Sequence, residues 1–163
     1  MRIGLPSGEP NSGWTAPVHQ AQASGLVRAF DPAHRHVVIE GHSPIGTGWN
    51  HLPVTMASAS ADVQNRSVRN LRFDLLMAPE EVVDAGPDLD AADQGWLYAW
   101  QTPRQPPQHL RLGDKHGEAR AAALRGAGVT LLIDLPHRGE TAVLWSPDRA
   151  TLDAALRRLD GQS

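Results

Sequence analysis

Residues 25–56 read GLVRAFDPAHRHVVIEGHSPIGTGWNHLPVTM, and the fold turns on how this stretch is read. Residues 26–30 and 36–40 are short apolar runs in which Val, Ile and Phe recur. Such residues suit a pleated, half-buried surface, so both runs are expected as strands. Asp31-Pro32-Ala33 between them carries turn chemistry. Proline fixes φ for the first central position of a type I turn, and the Asp31 carboxylate is placed to accept backbone N–H groups. Gly41 interrupts the second run, as a bulge would. A loop rich in His and Trp follows and ends in Thr55-Met56.

Upstream, residues 1–23 hold three Pro and three Gly and are expected as an extended arm, with Trp14 as its packing anchor. Downstream, residues 54–61 (VTMASASA) alternate small and polar side chains, and residues 67–77 (SVRNLRFDLLM) place Val68, Leu71, Phe73 and Leu75 mostly on one face. Both read as strands. Residues 78–95 contain two Glu, four Asp and no Lys or Arg, and read as a solvated loop with a helical turn at 79–83. Asp88, Asp90 and Asp93 have calcium-loop spacing, but that loop needs Gly sixth and Glu twelfth, where Asp93 and Ala99 stand.

Residues 95–101 (GWLYAWQ) form an aromatic strand with Trp96, Tyr98 and Trp100 at period two. Residues 102–113 are a Pro-rich linker. Residues 114–163 are expected as a small α-β-β-α unit. Asp114 would cap a first helix ending at Gly126, and residues 129–135 and 141–145 would form a hairpin. Ser146-Pro147-Asp148 would start the last helix, with Ser146 as N-cap. There Leu152, Ala155, Leu156 and Leu159 recur at i, i+3, i+4 and i+7, an apolar stripe able to cover the hairpin.

Composition limits the function classes. The chain has 163 residues, 40% hydrophobic and 20% charged, as a globular protein does. A net charge of −3 argues against nucleic acid as the main partner. With no Cys, disulfides, thiolate metal sites and cysteine nucleophiles are excluded. No apolar run reaches membrane-spanning length, and the first residues lack the apolar core of a signal peptide.

Two chemical constellations fall in the opening stretch. In the first, Gly41-His42-Ser43 after a strand, with Asp134 and His137 later in the chain, has the order of an α/β-hydrolase triad. Ile45 stands where that motif needs Gly, and Pro44 has no N–H for an oxyanion hole, so no enzyme is expected here. In the second, His42, Trp49, His51 and Met56 fall within 15 residues. Imidazole and thioether suit Cu(I) or Ag(I), and a Trp ring close to a monovalent cation adds a cation–π contact. His34 and His36 flank Arg35 and read as exposed turn residues, with a weak second metal site as the alternative.

The same residues carry a family resemblance. Gly25, Val27, Phe30, Asp31-Pro32, the run Val37–Ile39, His42-Ser43-Pro44-Ile45, Trp49 and Pro53-Val54-Thr55-Met56 resemble the CusF-like copper- and silver-binding proteins of the bacterial periplasm. That family implies a five-stranded OB-like β-barrel, here residues 24–101, with Leu71-Arg72-Phe73 and residues 96–100 in later strands. It implies a mainly β protein that binds Cu(I) or Ag(I) without catalysis, for delivery or tolerance, in the periplasm or cell envelope. His42 and Met56 would be ligands, with Trp49 as the cap. Val54 replaces the first Met of the family's Met-Thr-Met, and His51 would take the vacated ligand position. Three alternatives remain: a protein-interaction or assembly subunit without metal; single-stranded nucleic acid on Trp96 and Trp100, which the acidity disfavours; and a cytoplasmic location.

Overall fold

The structure, a computed structural model, describes residues 1–34, 36–44, 70–91, 96–104, 110–135 and 141–161. It is mainly β. β1 (Arg2–Ile3), β2 (Ser7–Glu9), β3 (Gly13–His19), β4 (His36–Pro44), β5 (Asn70–Met77), β6 (Trp96–Thr102), β7 (Leu131–Leu135) and β8 (Ala142–Ser146) belong to one antiparallel sheet. The order is β1-β3-β8-β7-β6-β4-β5, with β2 also paired to β3. Among the described residues the sheet is an open path. Within residues 24–101 its strands are β4, β5 and β6. The sheet also runs across the expected linker, since β6 pairs with β7 from Leu97↔Leu135 to Gln101↔Leu131.

Several stretches fold differently from their sequence reading. Residues 26–29 are helical, with Phe30 as an extended cap: α1 (Ala23–Leu26) continues into a 3₁₀ turn, Val27–Ala29. The reason is periodicity. Ala23, Leu26, Val27 and Phe30 recur at i, i+3, i+4 and i+7, and all four are buried. β propensity at Val27 and Phe30 yields to that burial. The turn after them forms as expected: Asp31 Oδ1 accepts from Ala33 N at 2.9 Å, and His34 N donates to Asp31 O at 3.1 Å.

Residues 1–23 form three strands rather than an arm. β3 pairs with β8 from Trp14↔Ser146 to Val18↔Ala142. Ala16 and Val18 are fully buried, so alternation in β3 supplies the apolar face that the Pro and Gly content masked. Gly13 (φ +90°) lies so close to the Trp145 indole that a Cβ would stand 2.4 Å from Nε1. Trp145 Nε1 donates to Ser12 O at 3.0 Å, pinning the β2–β3 connection to β8. Trp14 is half-buried, as a packing anchor would be, with the Arg149 guanidinium 5.3 Å from its ring.

The acidic stretch after β5 folds as α2 (Pro79–Asp84) and α3 (Gly86–Ala91) rather than as a loop with one turn. Pro79 opens α2, and Glu81 Oε2 accepts from Ala78 N at 2.7 Å, satisfying an orphan N–H at the helix start. Asp90 Oδ1 accepts from Ser24 N at 3.0 Å, which ties α3 to α1. α4 (Gly117–Gly126) begins at a His116 N-cap, and Asp114 instead sits in a 3₁₀ turn, Leu112–Asp114. α5 (Arg149–Leu159) is capped by Asp148, not Ser146: Asp148 Oδ2 accepts from Thr151 N at 2.8 Å. Ser146 Oγ is engaged by Thr130 O at 2.7 Å.

Apolar side chains fill both sides of the sheet. One side packs Ala16, Val37, Ile39, Ala99, Ile133 and Leu144 under α1, α3 and α5. The other packs Val38, Trp100, Leu132 and Trp145 under Leu112 and the α4 residue Leu124.

Candidate functional site

The second side of the sheet carries buried charge. Glu40 in β4, Tyr98 in β6 and Asp134 in β7 are successive register partners, and so form one row across three strands. Each interrupts an apolar strand face, which costs free energy unless partners compensate. Glu40 is 8% exposed, and its Oε1 accepts from Leu112 N. The Leu112–Asp114 turn is thereby fixed over the sheet.

Arg120 comes down on the row from α4. Its Nη1 lies 3.7 Å from Asp134 Oδ2, and Nη2 lies 3.4 Å from Tyr98 Oη. Its guanidinium carbon stands 5.0 Å from the Tyr98 ring centroid, within cation–π range. Nε donates to Lys115 O at 2.9 Å and Nη2 to Leu112 O at 3.3 Å. The guanidinium is thus largely committed within the protein. Burial pushes the Asp134 carboxyl up, and Arg120 only partly opposes that. Burial likewise raises the Tyr98 phenol, the Asp134 charge adds to the rise, and Arg120 counters it.

Beside this row a cleft of about 250 Å³ opens between α4 and strands β3, β7 and β8. Ala121, Leu124, Leu132, Val143 and Trp145 supply its apolar wall, and Asp134, Arg120 and Glu118 its charged end.

Of the metal-site residues expected from sequence, His42 alone is among the described residues. Trp49, His51 and Met56 lie outside the described residues, as do residues 54–61 and His137. His42 is on β4, where the backbone register puts it opposite Arg72 of β5 and Trp96 of β6. Two residues later Pro44 pairs with Asn70. Among the described residues no group of three His, Asp or Glu stands together as a metal site would require. His34 is on the turn, its Nδ1 3.4 Å from Thr130 Oγ1, and His36 opens β4.

The charged row was not foreseen as a site. Its sequence signal is a single acid inside an apolar run, Glu40 in VVIEG and Asp134 in LLIDL. Arg120 gives no such signal in an Ala-rich helix. Comparison with known protein families, with curated proteins and with solved structures found no match. Among the described residues no helix is long and apolar enough to cross a membrane.

Proposed function

We propose that this chain is a non-enzymatic binding protein for a soft monovalent metal ion, Cu(I) or Ag(I), in delivery or tolerance. His42, His51 and Met56 are the ligands of this reading, and Trp49 covers the ion. One observation carries it. Because Pro44 and Asn70 are register partners, the segment bearing Trp49, His51 and Met56 leaves and re-enters the sheet at one end, two residues beyond His42. In sequence, all three follow His42 within a 15-residue window. Two imidazoles and one thioether form a soft set that hard ions such as Mg²⁺ and Ca²⁺ do not favour. The OB-like barrel of the family resemblance belongs to the same reading, but the site needs only the paired β4, β5 and β6. A periplasmic or cell-envelope location goes with it.

Titration with Cu(I) against a chromophoric chelator tests the proposal. One equivalent is taken up, and His42→Ala or Met56→Ala each weakens uptake by about tenfold or more, the scale of about 1.4 kcal/mol. Absence of uptake by the intact chain rejects the metal reading in favour of an interaction subunit.

A further inference from the structure

The cleft beside Asp134 does not have His42 in its lining and has a chemistry of its own. We propose that it binds a small amphipathic amine, its ammonium on Asp134 and its apolar body against Leu132, Val143 and Trp145. Three features point to this class of ligand.

The first is an under-satisfied carboxylate. Asp134 is 27% exposed, and its partner among the described residues is Arg120 at 3.7 Å, an ion-pair distance too long for a good hydrogen bond. A half-buried carboxylate in that state gains from a donor able to approach to 2.7–2.9 Å, as an ammonium does. The second is charge. Of the side chains lining the cleft, Asp134 and Glu118 are acidic and Arg120 is basic. Arg120 directs Nε and Nη2 to Lys115 O, Leu112 O and Tyr98 Oη, and its one positive charge stands against two negative ones in this lining. The opening therefore favours a cation and repels a carboxylate. The third is shape. Small-molecule sites are concave and mostly apolar, with a few fixed polar groups. Here the apolar side chains stand beside the Asp134 carboxylate, whose register partner is Val143, in a cleft of about 250 Å³, a size that suits one ring or a short alkyl chain.

Isothermal titration of the full chain with 2-phenylethylamine, 2-phenylethanol and 3-phenylpropanoate separates these contributions. The amine binds most tightly and the carboxylate most weakly. Asp134→Asn keeps the side-chain shape, weakens the amine by about tenfold or more and leaves the alcohol unchanged. Ala121→Phe, which fills the cleft from α4, abolishes binding of both amine and alcohol. Thermal melts of both variants confirm that they remain folded. Equal affinity for all three compounds, an unchanged amine affinity in Asp134→Asn, amine binding that survives Ala121→Phe, or no binding to the intact chain would each overturn the proposal. None of these outcomes depends on metal uptake.

Discussion

The two sides of the sheet solve the same problem differently. Under α1, α3 and α5, strand side chains such as Val37, Ile39, Ala99, Ile133 and Leu144 are apolar and fully buried, and Leu152 and Ala155 close over them. Under α4, the row Glu40–Tyr98–Asp134 occupies positions where apolar residues would pack more cheaply, and Arg120 must be held by two backbone carbonyls to serve it. Nonpolar burial is non-directional and tolerates approximate fit. Buried charge requires each partner to be in place. The contrast assigns stability to the first side and binding to the second.

The largest effect that tests this assignment is at Leu152. It is fully buried in the core beneath α5. Leu152→Ala lowers unfolding free energy by about 2–5 kcal/mol, seen as a lower urea midpoint, and leaves amine affinity unchanged in the folded protein. A loss below about 1 kcal/mol would mean that α5 does not close that side, and the contrast would fail.

A smaller effect is expected at Gln101, a polar residue that belongs to the same stabilising machinery. It is 1% exposed, and its amide clasps the backbone of Asp31: Oε1 accepts from Asp31 N at 2.9 Å, and Nε2 donates to Asp31 O at 2.6 Å. Gln101→Leu leaves Asp31 N without its acceptor, while Asp31 O keeps His34 N, and costs about 1–3 kcal/mol by chemical denaturation. Amide exchange at Asp31 accelerates in the variant, marking a local opening of the 31–34 turn.

Much of the stabilising side is legible in sequence, and little of the charged side is. The stripe Leu152, Ala155, Leu156 and Leu159 specifies α5 because a helix needs only its own periodicity to be read. The β7–β8 hairpin and the Asp31–His34 turn are local in the same way. β1 to β3 escape notice because they are short and lie in a Pro- and Gly-rich stretch, and β3, on which β1 and β2 pair, acquires strand identity from β8, more than a hundred residues away: Ser12 meets Trp145 across |i−j| = 133. Residues 26–30 mislead because Val27 and Phe30 suit either period, and only burial against α3 and α5 decides. The row of Glu40, Tyr98 and Asp134 is assembled by register across β4, β6 and β7, and register is a property of strand pairing that no single segment carries.

Capping of α5 gives the next prediction. Asp148 Oδ2 accepts from both Thr151 N and Thr151 Oγ1 at 2.8 Å. These bonds hold the carboxyl below its ordinary range. Asp148→Ala costs about 0.5–2 kcal/mol at neutral pH, by urea denaturation. The sign of the pH dependence follows. A depressed folded pKa means that the unfolded chain binds the proton more readily, so the contribution is present above the unfolded value near 3.8 and is lost as pH falls through the folded one. The variant and the parent converge in acid.

Asp134→Asn gives the smallest stability effect and the sharpest test of the contrast, because its pH dependence has the opposite sign. Burial raises the folded pKa of Asp134, with Arg120 from α4 opposing; among the described residues Tyr98 from β6 and Glu118 from α4 are the other titratable groups beside it. A raised folded pKa means that the native state binds the proton more tightly than the unfolded chain. The ionised form is then a cost, present above the folded pKa and relieved as pH falls through it toward the unfolded value near 3.8. Relative to Asp134→Asn, the parent therefore gains stability as pH falls through that window, whereas relative to Asp148→Ala it loses stability. Denaturation curves for the three proteins between neutral pH and pH 3 read out both slopes. Two slopes of the same sign would show that Asp134 is paid for within the fold like Asp148, and that its carboxylate is not held in reserve for a ligand.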